Sequence, residues 1–290
     1  MSSREADTLS PRSNRPATEI PRVLSVTSGK GGVGKTNISV NLAYCLSKLG
    51  RKVVLLDADL GLANVDILLG LTPKMNLFHL FHEGVDLKQV LMETPFGFSI
   101  LPASSGVSDM LALSTGQKLD LLEAMDYLEG RINYLIVDTG AGINDNVIYF
   151  NLAAQERLLV LTTEPTSLTD AYALIKVMHM HHDVHRFRVV VNMAPSLKAA
   201  KAVYEKLSTA CDHFLSGISL DFTGVVPADA AVKSAVIRQK PFCYLTPEAA
   251  ASKKLMELAQ TIDSWEVDAK LDGNIKFFWK KLLFQEQPLA

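Results

Sequence analysis

The chain predicts an α/β protein built on a doubly wound, mostly parallel sheet. Three observations predict it. Short, nearly continuous apolar runs recur at residues 23–26, 52–56, 134–137, 158–161 and 189–191, the pattern of strands buried on both faces. Segments with helical spacing alternate with those runs, which favours right-handed crossovers between parallel strands. A glycine-rich loop, Ser28-Gly29-Lys30-Gly31-Gly32-Val33-Gly34-Lys35-Thr36, joins the first run to the first helix.

That loop fits the phosphate-loop pattern, Gly, four residues, then Gly-Lys-Thr. Its glycines let successive backbone N–H groups turn inward, and the following helix N-terminus adds positive potential. Ile38, Leu42, Cys45, Leu46 and Leu49 give that helix its buried stripe, and Gly50 ends it. The expected nucleotide contacts are Gly29, Lys30, Gly31, Gly32, Val33, Gly34, Lys35, Thr36 and Asn37. Lys35 would meet the β- and γ-phosphates, and the Thr36 hydroxyl would join a Mg²⁺ shell. Lys30 is surplus to the pattern.

The second strand, at 52–59, ends in two carboxylates, Asp57 and Asp59. Ligands of open parallel sheets sit at the carboxyl ends of strands, so both should face the loop. A glycine-containing turn at 60–66 leads into a short helix. Short helices are then expected at 75–83 and 86–92, a strand at 98–101, and an amphipathic helix at 117–128. The strand at 134–138 ends in Asp138, placed to hold Mg²⁺ through water across from Thr36. Gly140 and Gly142 follow it and would let backbone N–H groups approach a γ-phosphate, which makes this loop a second switch. Glu164-Pro165 breaks the next strand before a long helix. His179, His181, His182 and His185 crowd the end of that helix without an HExxH pattern or paired cysteines, and read as cations at a helix C-terminus. Asn192 ends a further strand, where its amide could both donate to and accept from adenine. The absence of Asn-Lys-x-Asp there favours ATP over GTP. Helices are expected at 230–238 and 248–264.

Lys-Gly-Gly-Val-Gly-Lys-Thr resembles the deviant phosphate loop of the MinD/ParA family, in which the extra lysine reaches across a nucleotide-sandwiched dimer. The resemblance runs from about residue 23 to the C-terminus. It implies an ATP-dependent homodimer with ATP and Mg²⁺ as cofactors. Asp-x-Asp-x-Gly-Leu-x-Asn resembles that family's first switch, implying that Asp59 orients the attacking water and that Asp57 supports the metal's outer shell. Residues 224–229 resemble its last strand and purine-side loop, implying base contacts near Pro227 and Asp229. Lys30, Lys35 and Asp59 are thus the expected catalytic group. Within the family, Asp-Thr-Gly-Ala-Gly-Ile and Glu-Pro-Thr-Ser-Leu-Thr-Asp-Ala-Tyr look most like the flagellar-number regulators of the FlhG (FleN) type. This implies an FlhF-type GTPase and flagellar switch components as partners. The rivals on the same fold are a MinD-type division-site regulator and a ParA-type DNA-positioning ATPase.

At the C-terminus, Ile275, Phe278, Trp279, Leu282 and Leu283 fall within an arc of about 140° when residues 274–285 are wound as a helix. Lysines flank the arc, so an interfacial helix on an anionic membrane is expected, with docking on the protein's own core as the alternative. The chain therefore divides into a disordered tail (1–21), an ATPase domain (22–264), a linker (265–273) and an amphipathic helix with its tail (274–290).

Composition sets the bounds. A chain of 290 residues, 48% hydrophobic, can bury one large core, and a net charge of −2 gives no global basic field for nucleic acid. Cys45, Cys211 and Cys243 are far apart, with no metal-ligand spacing, and read as reduced thiols. That spacing argues against an iron–sulfur carrier on this fold. The tail lacks the apolar segment of a signal peptide, and no apolar run approaches membrane-spanning length. The expected location is the cytoplasm, peripheral on the inner face of the cell membrane in the ATP state.

Overall fold

The computed structural model describes residues 21–59, 64–102, 114–265 and 275–284. The expected tail up to residue 20, residues 266–274 joining the domain to the last helix, the first-switch residues 60–63, and residues 103–113 and 285–290 lie outside them. Eight strands form one sheet in the order β3-β4-β2-β5-β1-β6-β7-β8. They are β1 (Arg22–Ser28), β2 (Val53–Ala58), β3 (Met92–Glu93), β4 (Ser99–Pro102), β5 (Tyr134–Ala141), β6 (Glu156–Leu161), β7 (Arg186–Ala194) and β8 (Ser219–Pro227). Every pairing is parallel except β3 with β4. From β1 the chain crosses to β2 on one side, and after β5 it returns to β6 on the other. The carboxyl end of β1 therefore opens on the crevice where such sheets bind ligands.

Strand alternation sorts the core into two layers. Leu24, Val26, Leu55, Ile136 and Val160 face one side, under helices α1 (Lys35–Lys48) and α11 (Ala250–Asp263). Val23, Val54, Leu56, Leu135 and Val137 face the other, under α5 (Thr115–Met125) and α6 (Asp145–Ala153). On that same side, Leu159, Leu161, Val189 and Val191 meet α7 (Pro165–His182) and α8 (Leu197–Phe214). The remaining described helices are α2 (Val65–Leu69), α3 (Leu77–Glu83), α4 (Leu87–Val90), α9 (Ala230–Ile237), α10 (Phe242–Leu245) and α12 (Ile275–Phe284).

Two local readings change. The helix expected over 86–92 stops at Val90, because Met92 and Glu93 fold back antiparallel on Ile100 and Ser99. The Thr94 amide and hydroxyl both donate to the Phe98 carbonyl, closing that hairpin. The second change concerns α12. Its apolar arc, Ile275, Phe278, Trp279, Leu282 and Leu283, is turned onto α5 and α6 and is at most 1% exposed. The face expected on a membrane is, in this structure, part of the protein's own core. No helix among the described residues is long and apolar enough to cross a membrane.

Candidate nucleotide and metal site

The phosphate loop leaves β1 and enters α1 through two glycines, Gly29 and Gly34, that leave no room for a side chain. Gly34 has φ 88°, and a Cβ there would lie 2.4 Å from Asn192 Nδ2. A Cβ on Gly29 would lie 2.0 Å from the Asp170 carbonyl oxygen, so the loop presses directly against α7. Asn192 is buried and donates through Nδ2 to the Val33 carbonyl, 2.8 Å away. One of its two N–H bonds thus fixes the loop, and Asn192 itself does not line the cavity, where its neighbour Met193 does. Pro227 and Asp229, expected on the purine side, do not line the cavity that the loop encloses. Asp229 instead accepts from Ala231 N at 2.9 Å and Ala251 N at 3.2 Å, capping α9 and α11 at once. Those backbone donors hold its carboxyl below the ordinary range.

The cavity measures about 710 Å³, within the size class of small-molecule sites. Gly31, Gly32, Gly34, Lys35, Thr36 and Asn37 form its floor, with Asp59 and Asn64 at one side. Ile67, Leu68, Met193 and Val236 add an apolar wall suited to the faces of a purine. Lys35 is only 7% exposed, and burial lowers its pKa against the opposing pull of Asp138 and Asp59.

Asp138 is fully buried at the end of β5. Its Oδ1 accepts from Ser39 Oγ at 2.7 Å, and the Thr36 hydroxyl also bonds to the carboxylate. Its Oδ2 is buried with no partner. Burial raises the pKa to about 6, against the two hydroxyls and Lys35. A buried carboxylate oxygen lacking a donor, next to a threonine hydroxyl, suits a hard divalent cation with oxygen ligands, so these residues fit Mg²⁺. Asp57 pairs in register with Asp138 across β2 and β5. Its carboxylate accepts from the backbone N–H of Asp59, Asn64 and Val65 at 3.3, 3.1 and 3.2 Å, so it caps α2 as well as facing the metal end. Burial first, then the Asp138 charge, pushes its pKa up to about 7.

Asp59 and the second switch meet because Gly140 has no side chain: a Cβ there would lie 3.3 Å from Asp59 Oδ1. Gly142, at φ 94°, donates its N–H to the Ser28 carbonyl at 3.0 Å, tying the switch to the loop. Lys30 turns away from the cavity. Its Nζ lies 2.8 Å from Glu164 Oε2 and 2.7 Å from Thr166 Oγ1, at the start of α7. Sequence reasoning missed Ser39, Met193, Gln239 and these two partners of Lys30. Ser39 alone left a signal, since it stands one helical turn after Lys35 and shares its face. The histidines at the end of α7 form no metal cluster among the described residues, and all three cysteines are buried.

A glycine loop between strand and helix, a buried lysine and a metal-ready carboxylate on the neighbouring strand define a P-loop NTPase. A family model described as ParA, an iron-transfer P-loop NTPase of the NUBPL type, matches residues 19–263. The antiactivator FleN of Pseudomonas aeruginosa is 47% identical over 90% of this chain and 93% of its own length. The flagellum site-determining protein YlxH of Helicobacter pylori is 31% identical, covering 90% of each chain. Among solved structures, the MinC:MinD cell division complex of Aquifex aeolicus aligns with a TM-score of 0.68 at 25% identity, over 86% of this chain and 98% of that one. The chain belongs to the MinD/ParA family of P-loop NTPases, and within it resembles the FleN (FlhG) flagellar regulators.

Proposed function

We propose that this protein is a Mg²⁺-dependent ATPase with slow turnover, a nucleotide-switched dimer that regulates the number and placement of flagella from the inner face of the cell membrane. The observation that carries the reading is the convergence on one cavity of Lys35, Thr36 and Asp59, with the buried Asp138 carboxylate, one oxygen unpartnered, bonded to Thr36 behind them. Lys35 would hold the β- and γ-phosphates, while Thr36 and Asp138 would hold Mg²⁺, whose charge offsets that of the transferred group when bound. Asp59 would orient the attacking water, and the Gly140–Gly142 backbone would face the γ-phosphate.

Dimerisation is supported by the outward placement of Lys30 and by exposed apolar side chains around the cavity mouth. Ile67, Met193 and Val236 line it, Ile237 follows Val236, and Ile143 stands two residues after the lining Ala141; all five are at least 38% exposed. The membrane step is supported by two polar atoms where α12 docks. Tyr149 Oη and Trp279 Nε1 are buried without a partner. Each raises the free energy of the docked state by about 1–3 kcal/mol. A membrane interface lets an indole N–H reach water while the ring stays apolar. Two released helices in one dimer bind better than one through effective concentration. The names of the FleN and YlxH relatives support the flagellar assignment, with an FlhF-type GTPase and flagellar switch components as the implied partners.

Sedimentation with anionic liposomes tests the switch, comparing ATP with ADP and the full chain with a protein ending at Asp272. Equal pelleting of the shortened protein removes the anchor, and pelleting indifferent to nucleotide removes the switch. Deleting the gene and counting flagella separates the flagellar role from a division role, which would misplace septa instead.

A further inference from the structure

Two helix ends meet at the cavity wall. Helix α9 closes with Gln239 N–H donating to Val236 O at 3.0 Å and Lys240 N–H to Ala235 O at 3.2 Å, which puts Gln239 in the left-handed cap position at φ 53°. Glycine is the residue that takes this position without strain. Facing it, α2 ends on Gly70, also left-handed at φ 64°. A Cβ on Gly70 would lie 3.2 Å from both Cβ and Oε1 of Gln239, so glycine at 70 makes room for glutamine at 239. Gln239 Nε2 then donates to the Ile67 carbonyl at 2.9 Å. The same side chain lines the nucleotide cavity beside Ile67 and Val236.

A five-residue helix has too few internal hydrogen bonds to hold its own position. Helix α2 is fixed from outside at both ends. At its start the Asp57 carboxylate accepts the Asn64 and Val65 N–H groups, and at its end Gln239 donates to Ile67. We infer that Gln239 is a positioning residue for the ATPase reaction: it pins α2, and through α2 sets the Asp57 end of the first switch against the nucleotide. The strained backbone is kept because the side chain does what a glycine could not. This inference rests on the nucleotide-site reading above.

The full-length protein carrying Gln239→Gly relieves the backbone and deletes the side chain, while Gln239→Glu keeps the size but removes the N–H donor. Both should speed deuterium exchange of the Asn64 to Gly70 amides about fivefold, the worth of one ordinary hydrogen bond. Exchange in the phosphate loop should not change. Both should lower kcat by a similar factor, leave KM for ATP and affinity for a fluorescent ADP within about twofold, and in the glycine variant leave Tm equal or higher. Unchanged exchange and kcat in both variants would reduce Gln239 to a helix cap. A large loss of ADP affinity would mean direct contact with nucleotide, and would overturn the route through α2. If the unsubstituted protein binds no ADP, the nucleotide-site reading falls and takes this inference with it.

Discussion

Ser39→Ala isolates the metal carboxylate with a single missing atom. Ser39 is fully buried on α1, and its hydroxyl lies 2.7 Å from Asp138 Oδ1 and 3.1 Å from the Lys35 carbonyl. Asp138 Oδ2 already has no partner, so the substitution leaves the Thr36 hydroxyl as the remaining side-chain donor to the carboxylate. A hydrogen bond to a charged group contributes about 1.5–3 kcal/mol. Loss of the lower figure raises the Asp138 pKa, already about 6, by roughly one further pH unit. At neutral pH the proton then competes with the metal, and the half-saturating Mg²⁺ concentration should rise about twofold at pH 7 and about fivefold at pH 6. Titrating Mg²⁺ against ADP binding and ATP turnover reads this directly. An unchanged Mg²⁺ requirement with a lower Tm would show that Ser39 only fills the space between helix and sheet.

Asp59→Ala should still bind ATP and Mg²⁺ yet lose turnover, trapping dimers on a sizing column; hydrolysis at the unsubstituted rate would make Asp59 a structural carboxylate. Lys30→Ala should keep monomeric nucleotide binding but lose ATP-dependent dimers in light scattering, and retained dimers would sink the bridging role. Tyr149→Phe removes an unpartnered buried hydroxyl at almost constant volume, so Tm should rise, by about 1 kcal/mol of stability, and liposome pelleting in ATP should fall. A drop in Tm would mean that hydroxyl has a partner. Asp57 and Asp138, raised to about 7 and about 6, bind protons more tightly folded than unfolded. The metal-free protein should therefore gain stability as pH falls from 8 towards the ordinary carboxylate range, and level off there. Calorimetry across that window checks the sign, and a falling Tm would refute it.

The sheet and the phosphate loop were legible because their causes are local. Val53 to Leu56 is apolar whatever surrounds it, and the loop's glycines, lysine and threonine carry their chemistry in their spacing. What was not legible depends on partners brought from far along the chain. Asp229, expected near the base, also caps two helices, because α11 places the Ala251 amide against it from 22 residues away. Asn192 spends a donor on Val33, 159 residues earlier. Gln239 gives no hint of its positive φ, since nothing in a side chain's identity announces a backbone strained to present it. Strand β4 was expected, but its partner β3 hid at the end of a segment whose apolar spacing suits a helix equally well. The stripe on α12 was read correctly as a stripe, but amphipathic spacing does not say what covers it.

That stripe also has a physical path to the nucleotide. Coupling between two sites would need an element in contact with both, and α6 touches the second switch and the bed of α12. It starts three residues after Gly142, with Asn144 accepting from Val147 N at 3.1 Å. Val147 in turn lies beside Gly140, its Cγ2 3.6 Å from where a Cβ would sit. At the other end, Asn151 bonds to Ser25 and Thr27 on β1, which leads into the phosphate loop, and Tyr149, Phe150 and Ala153 pack in the cluster that buries α12. Nine residues of helix span about 13 Å, so any displacement of the switch would reach the bed of α12 through one rigid body. Because packed surfaces tolerate little sliding before contact energy is lost, a shift of about an ångström at α6 would weaken the seat of Trp279, whose indole N–H lacks a partner even when docked.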